Sequence, residues 1–352
     1  MVVSGIASIS CYNTATYHED TALDAPLLAY AKQPETSKPG KKAGNPLQLL
    51  SYNEKSQLRN VAGNEWNKGI AAFAAGDMHK ASGYFINVLE HNNTLSVQDK
   101  AALAFWAYRS LINDNRDAEA KPYLEQAAEN AETFYGLIAR QISGKKTVPV
   151  NAEINIAMHD LAKGLAKDTD VTPHALLPDW EPKTGYSVEP ALLFAIIRQE
   201  SNFNIHTQNS GGAVGVMQLM PQTIKTLAKK TNIKGTANEP AVNIALGQDY
   251  IKRLMQEPLI QDNLIFLTVA YNAGSGTLQK WVEKMDYNED PLLFVEMLPF
   301  GATRDYVVNV MSNYWIYSEI LGGNTNALSM ITDGKWPGYA GIAKQTHFSA
   351  NK

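Results

Sequence analysis

An apolar run that ends abruptly in charge constrains this chain more than any other stretch. Pro190 opens it, Leu192, Leu193, Ile196 and Ile197 recur at i, i+3, i+4 spacing, and Arg198, Gln199, Glu200 and Ser201 close it. Proline suits a first helical turn, where its missing N–H would have no intrahelical partner. The spacing predicts a helix largely buried on one side. Glu200 stands three and four residues beyond Ile197 and Ile196, so its carboxyl leans over their apolar stripe. Such surroundings disfavour the charged form and raise a carboxyl pKa, which a general acid needs near neutral pH. Most glutamates are simply solvated, so Glu200 needs company before it counts as a site.

The company follows in order. Ser210-Gly211-Gly212-Ala213-Val214-Gly215-Val216-Met217-Gln218-Leu219-Met220-Pro221 is a glycine-rich loop running into an apolar, amide-bearing segment that reads as strand-like. Its glycines permit positive φ and close approach of backbone to a ligand. Pro221 then starts a helix through Lys229, and residues 243–251 form another helical stretch. Ala270-Tyr271-Asn272-Ala273-Gly274-Ser275-Gly276 comes next, and Glu296-Met297-Leu298-Pro299-Phe300-Gly301-Ala302-Thr303-Arg304-Asp305-Tyr306 comes last. In this order the four motifs resemble those of the soluble lytic murein transglycosylases, a lysozyme-like family that cleaves bacterial peptidoglycan. The resemblance spans roughly residues 186–320.

That resemblance implies roles. Glu200 maps onto the family's catalytic glutamate, alternating as acid and base while the muramic C6 hydroxyl attacks C1 and a 1,6-anhydro end forms without water. Ser201 resembles a partner serine able to orient the glutamate or the substrate. Its bland alternative is a helix-end hydroxyl bonded to backbone. Met217, Gln218 and Met220 look like a cleft wall of adaptable thioethers and an amide. Tyr271 fits a phenol aimed at the carboxylate or the substrate, whereas Asn272 shapes a turn. Glu296 matches a cleft glutamate, and Arg304 and Tyr306 are open between structural and ligand-contacting roles. Where the family usually reads Glu-Thr-Arg, this chain has Ala302-Thr303-Arg304, which leaves Arg304 without its usual partner.

Composition fits this reading. The 352 residues, 45% of them hydrophobic, suffice for about two domains with a sizeable core. A formal net charge of −4 offers no electrostatic footprint for nucleic acid. No stretch approaches about 18 consecutive apolar residues, so no transmembrane segment is expected. The seven histidines are scattered and the one cysteine, Cys11, forms no internal disulfide. No metal and no cofactor is expected. His206 is placed in a surface loop. Residues 1–11 lack a basic region and make a poor secretory signal, and Ser8-Ile9-Ser10-Cys11 only faintly resembles a lipoprotein site.

Upstream, Trp66, Gly69, Phe73, Gly76, Asp77, Ala81, Tyr84 and Phe85 resemble a tetratricopeptide-type helix pair. Ala102, Phe105, Trp106, Tyr108, Ala118, Ala120, Tyr123 and Leu124 suggest a second unit. A third element, 131–139, carries Phe134 and Tyr135, which are placed to pack against the following domain. The expected fold is mainly α. A flexible segment spans 1–45, a helical-repeat platform 46–168, and a lysozyme-like α+β catalytic domain with very little sheet 169–325. A tail spans 326–352, its aromatics packed back on the body. The expected activity is that of a peptidoglycan lytic transglycosylase in the periplasm or cell envelope, with glycan strands as partner. The alternatives are a goose-type hydrolysing lysozyme and a catalytically weak wall-binding scaffold.

Overall fold

The computed structural model describes residues 63–146, 178, 180–207, 211–231, 233–321, 323 and 326–341. The expected flexible segment, Cys11 and most of the connection into the catalytic region lie outside these. Thirteen helices account for the described architecture, with two isolated β-bridges as the only strand pairing among the described residues. No described helix is long and apolar enough to cross a membrane.

Two helix pairs build the platform. α1 (Gly63–Ala74) packs on α2 (Met78–His91), and α3 (Val97–Asn113) packs on both α2 and α4 (Asp117–Ala128). Gly69 is required at the first crossing, because a Cβ there would meet the Phe85 ring at 2.5 Å. Gly76, at φ +79, ends α1, and the Asp77 carboxylate accepts from the Lys80 N–H to start α2. Trp66, Phe73, Phe85, Phe105 and Trp106 are all buried, as expected of core aromatics. α5 (Phe134–Ile142), capped by Thr133, closes the platform.

The region expected to be catalytic, hereafter the catalytic region, begins at α6 (Pro190–Ser201), started by its proline. Then follow α7 (Pro221–Ala228), α8 (Pro240–Met255), α9 (Leu264–Ala273) and α10 (Ser275–Lys284). α11 (Pro291–Met297) and α12 (Gly301–Ile320) complete it, and α13 (Asn326–Thr332) lies in the tail. α12 is the central element: it packs along α6 and also touches α5, α9 and α11.

Platform and catalytic region share one continuous hydrophobic core. Phe134 stacks on Trp315 of α12 with centroids 5.1 Å apart, and Arg109 of α3 pairs at 2.5 Å with Asp290, the cap of α11. Phe134 and Tyr135 do pack across the junction, as the sequence suggested. The tail returns as expected: Trp336 lies 4.7 Å from Phe266 between centroids, and the Tyr339 hydroxyl accepts from the Glu189 N–H at 2.8 Å.

Candidate active site

The last turn of α6 presents Glu200. After it, Asn202 and Phe203 both take positive φ, so the chain turns sharply away and leaves the carboxyl at the helix end. Glu200 keeps partial solvent contact, yet protein surrounds most of it. That burial pushes its pKa up from 4.5 to about 8, and the Tyr306 hydrogen bond pulls the other way. Near neutral pH the carboxyl is therefore protonated and able to donate. The Tyr306 hydroxyl of α12 donates to Oε1 at 2.8 Å. Burial holds the Tyr306 phenol well above its usual pKa, with the Glu200 charge adding to the effect, so it remains a donor.

Two more phenols surround the carboxyl. Tyr250 and Tyr271 lie 5.2 Å apart between ring centroids, and each has its pKa raised chiefly by burial with Glu200 contributing. Tyr271 does not aim at the carboxylate as expected. Its hydroxyl donates to the Met217 carbonyl at 2.9 Å, and Tyr306 fills the role foreseen for it. Tyr250 carried no assigned role, although it sits in the 243–251 stretch that the sequence singled out. Its aromatic character, one helical turn from Gly247, was the available signal.

The glycine-rich segment is a tight turn rather than the strand-like run expected. Val214 and Leu219 exchange hydrogen bonds at 2.9 and 3.0 Å in an isolated antiparallel bridge. Asn243 of α8 holds the turn from behind, accepting from the Met217 N–H at 2.8 Å and donating to the Val214 and Ala237 carbonyls at 3.0 and 2.9 Å. Gly215, at φ +74, fits over it because a Cβ would meet Asn243 Nδ2 at 2.2 Å. Gln218 is held at φ +45, a left-handed conformation that costs on the order of 1–3 kcal/mol for a non-glycine residue. Its amide donates to the Gly215 carbonyl at 2.8 Å, which helps hold it there. Ile205, His206 and Thr207 face Gly212–Gly215 and Asn238 across an open cavity of 530 Å³. His206 is exposed there, as expected of a loop.

Several other expected contacts are structural instead. The Ser201 hydroxyl donates back to the Ile197 carbonyl at 3.1 Å, the bland alternative for a helix-end serine. Met217 is fully buried, and a Cβ on Gly247 would meet its Sδ at 2.1 Å, so its side chain is core rather than cleft wall. Gln218 is also buried, and only Met220, at the start of α7, keeps partial exposure. Asn272 lies inside α9 rather than shaping a turn, and its Oδ1 accepts from Thr303 Oγ1 at 2.9 Å. Glu296 is buried at the platform junction, accepting from the Tyr135 hydroxyl at 2.5 Å. Arg304 is not left without a partner: its Nε stands 3.9 Å from Glu296 and its Nη2 reaches Asp305 at 3.2 Å.

Comparison with known proteins agrees with this geometry. Residues 180–293 match the model of the transglycosylase SLT domain. A soluble lytic murein transglycosylase of Salmonella typhimurium is 33% identical over 157 residues, which cover 43% of this chain and 24% of the relative. Its Escherichia coli counterpart is 32% identical over the same shares. The chain thus spans about a quarter of the length of these relatives. Among solved structures, the 70 kDa soluble lytic transglycosylase of Escherichia coli superposes with a TM-score of 0.57 at 21% identity, covering 84% of this chain and 57% of that one. An inactive mutant of the lytic transglycosylase Slt of Pseudomonas aeruginosa gives 0.56 at 21% identity, covering 76% and 54%. The shared architecture is a helical region followed by a lysozyme-like region. Residues 180–293 are thus similar to the transglycosylase SLT domain, and the wider match is to the soluble lytic murein transglycosylases.

Proposed function

We propose that this chain is a lytic transglycosylase that cleaves the β-1,4 bond between N-acetylmuramic acid and N-acetylglucosamine in peptidoglycan, with Glu200 as its acid and base. The supporting observation is the carboxyl itself: pushed up to about 8 by burial, it carries a transferable proton at neutral pH. The proton passes to the glycosidic oxygen as the C1–O bond breaks. The substrate's acetamido group can stabilise the cationic centre in place of a second carboxylate. Glu200, now a carboxylate steadied by the Tyr306 hydroxyl, takes the proton of the muramic C6 hydroxyl as that oxygen attacks C1. The product ends in 1,6-anhydromuramic acid, no water is consumed, and Glu200 is restored.

In this reading the chemistry resides in residues 169–325 and the platform of 46–168 holds the strand. Because the two share a core, that division is one of chemical labour rather than of separable folding units. Substrate contacts come from Met220 at the turn and from the open cavity beside it. The substrate places the enzyme in the cell envelope. Mass spectrometry of products from purified sacculi digested by the full chain is the test. Anhydromuropeptides are expected. Free reducing ends at N-acetylmuramic acid would establish a hydrolysing lysozyme instead, and intact sacculi would remove the activity altogether.

A further inference from the structure

The first turn of α12 has no side-chain cap of its own. Phe300 at its N-cap contributes no side-chain hydrogen bond, and the turn holds no acidic residue. A helix start ordinarily gains support from a capping side chain or a nearby carboxylate, and Ala302 supplies neither. The turn is held from outside. Thr303 donates to Asn272 of α9 at 2.9 Å, Arg304 stands 3.9 Å from Glu296 of α11, and Tyr306, just into the second turn, donates to Glu200 of α6 at 2.8 Å. Glu296 is itself fixed by the Tyr135 hydroxyl of α5, 2.5 Å away. Tyr135 is fully packed, with Phe105 stacked on it at 5.1 Å between centroids. Arg304 and Tyr306 lie two positions apart, about 200° around the helix. The platform therefore grips one side of this turn and the catalytic carboxyl meets the other.

We propose that Tyr135 is a positioning residue for Glu200: by fixing Glu296, and through it Arg304, it sets where the first turn of α12 sits and hence how well Tyr306 reaches the acid. The inference rests on Glu200 being the acid–base group, but it can be read without turnover. Tyr306, Tyr271 and Tyr250 face Glu200 from α12, α9 and α8. Tyr135 and Arg304 face Glu296 from α5 and α12, and the Arg109 charge of α3 acts on Tyr135. Asp305 pairs with Arg304 and acts electrostatically on the buried Asp99 of α3. Burial raises the Tyr135 phenol, with the Glu296 charge adding to it, so it stays protonated over the range in which Glu200 titrates.

Tyr135→Phe in the full chain removes the hydroxyl and keeps the ring. The Glu200 midpoint is followed by carbon NMR of glutamate-labelled protein, its signal assigned by loss in Glu200→Gln. A loosened Tyr306 bond stabilises the carboxylate less, so the midpoint should rise by about half a unit, part of what one hydrogen bond to a charged group supplies. On glycan, kcat should fall severalfold with KM unchanged. Glu296→Gln keeps an acceptor oxygen for Tyr135 but removes the charge facing Arg304, and should move the midpoint the same way. It carries the test if Tyr135→Phe does not fold. An unmoved midpoint in the folded variants, whatever happens to thermal stability, overturns the proposal and leaves Tyr135 as junction packing. A moved midpoint in a chain that cleaves no glycan keeps the positioning and discards the proposed activity.

Discussion

Buried polar groups behave differently in the two regions. In the platform the small hydroxyls serve their own helix, and the bonds that leave it, from Tyr135 and Arg109, run to the junction. Ser82 and Ser110 donate to carbonyls three and four residues back, and Thr133 caps α5. In the catalytic region some hydroxyls, such as those of Ser201 and Ser312, also serve their own helix, but many polar groups join elements distant in sequence. Asn243 holds the glycine turn, Asn272 meets Thr303, Tyr314 donates to Glu189 at 2.9 Å, and Tyr306 reaches Glu200 across 106 residues. Local polar bonds let apolar packing decide the arrangement, whereas cross-element bonds fix particular atoms at particular distances. A scaffold needs only the first. A site that must hold one carboxyl at a useful pKa needs the second.

The sharpest way to break that comparison is Glu200→Gln. It preserves shape but cannot donate or recover a proton, and turnover should fall by roughly two to four decades, the span of general acid–base catalysis. Its stability effect has a definite sign. Burial pushes the Glu200 pKa in the folded chain up to about 8, above the usual 4.5, so the folded state binds the extra proton between these values. Stability conferred by that proton is full below the lower value and lost as pH rises through the upper one. The variant should therefore match the native chain at pH 4 and exceed it at pH 9. A gain of about 1–2 kcal/mol allows for the carboxyl's partial solvent contact. Chemical denaturation at both pH values checks it, and a gain confined to pH 4 would contradict the burial of this carboxyl.

The platform should answer in the opposite currency. Phe85 is fully buried against Trp66 and Trp106, with centroids 5.4 and 6.1 Å away. Phe85→Ala should cost about 3–5 kcal/mol, read as a lowered denaturation midpoint. The pH profile of the remaining folded protein should not move, because no bond from Phe85 leads to α12. A shifted profile would mean that the core transmits strain between the regions more broadly than the polar contacts imply.

Gly215→Ala probes the turn more gently. The new Cβ meets the Asn243 amide at 2.2 Å and the Ala237 carbonyl at 2.8 Å, on a backbone already at φ +74. The expected loss is about 1–3 kcal/mol, with weaker glycan binding because the cavity wall moves with the turn. Unchanged stability would show that this turn relaxes freely.

What was legible in the sequence follows the same division. Pro190 and Pro221 marked helix starts, the repeated aromatics marked the platform core, and Glu200 over an apolar stripe signalled a raised pKa. Those signals are local, set by spacing within a few turns. The partner choices were not local. Tyr271 and Tyr306 are both phenols in matching motifs, and only the packing of α9 and α12 decides which one meets the carboxyl. Ser201 follows the acid directly, yet helix geometry returns its hydroxyl to Ile197. Glu296 finds Tyr135 161 residues away, a distance no spacing rule reaches. The strand-like reading of 214–220 failed because Gly215 and Asn243 together impose a turn on residues of high β-propensity.

The smallest expected effect is the most specific to this site. Tyr306→Phe keeps the ring, which is buried, and removes the hydroxyl that donates to Glu200 among the described residues. Burial alone then governs the carboxyl, and its midpoint should climb from about 8 by up to roughly one unit, the worth of a hydrogen bond to a charged acceptor. At neutral pH the acid is protonated in both forms, so proton donation survives. The carboxylate left behind after donation is less stabilised, however, and the rate should fall severalfold while the alkaline limb of the pH–rate profile moves upward. A loss of rate without movement of the limb would assign Tyr306 to substrate contact. A limb that moves downward would mean the phenol opposes the carboxylate, which the 2.8 Å donor geometry does not allow.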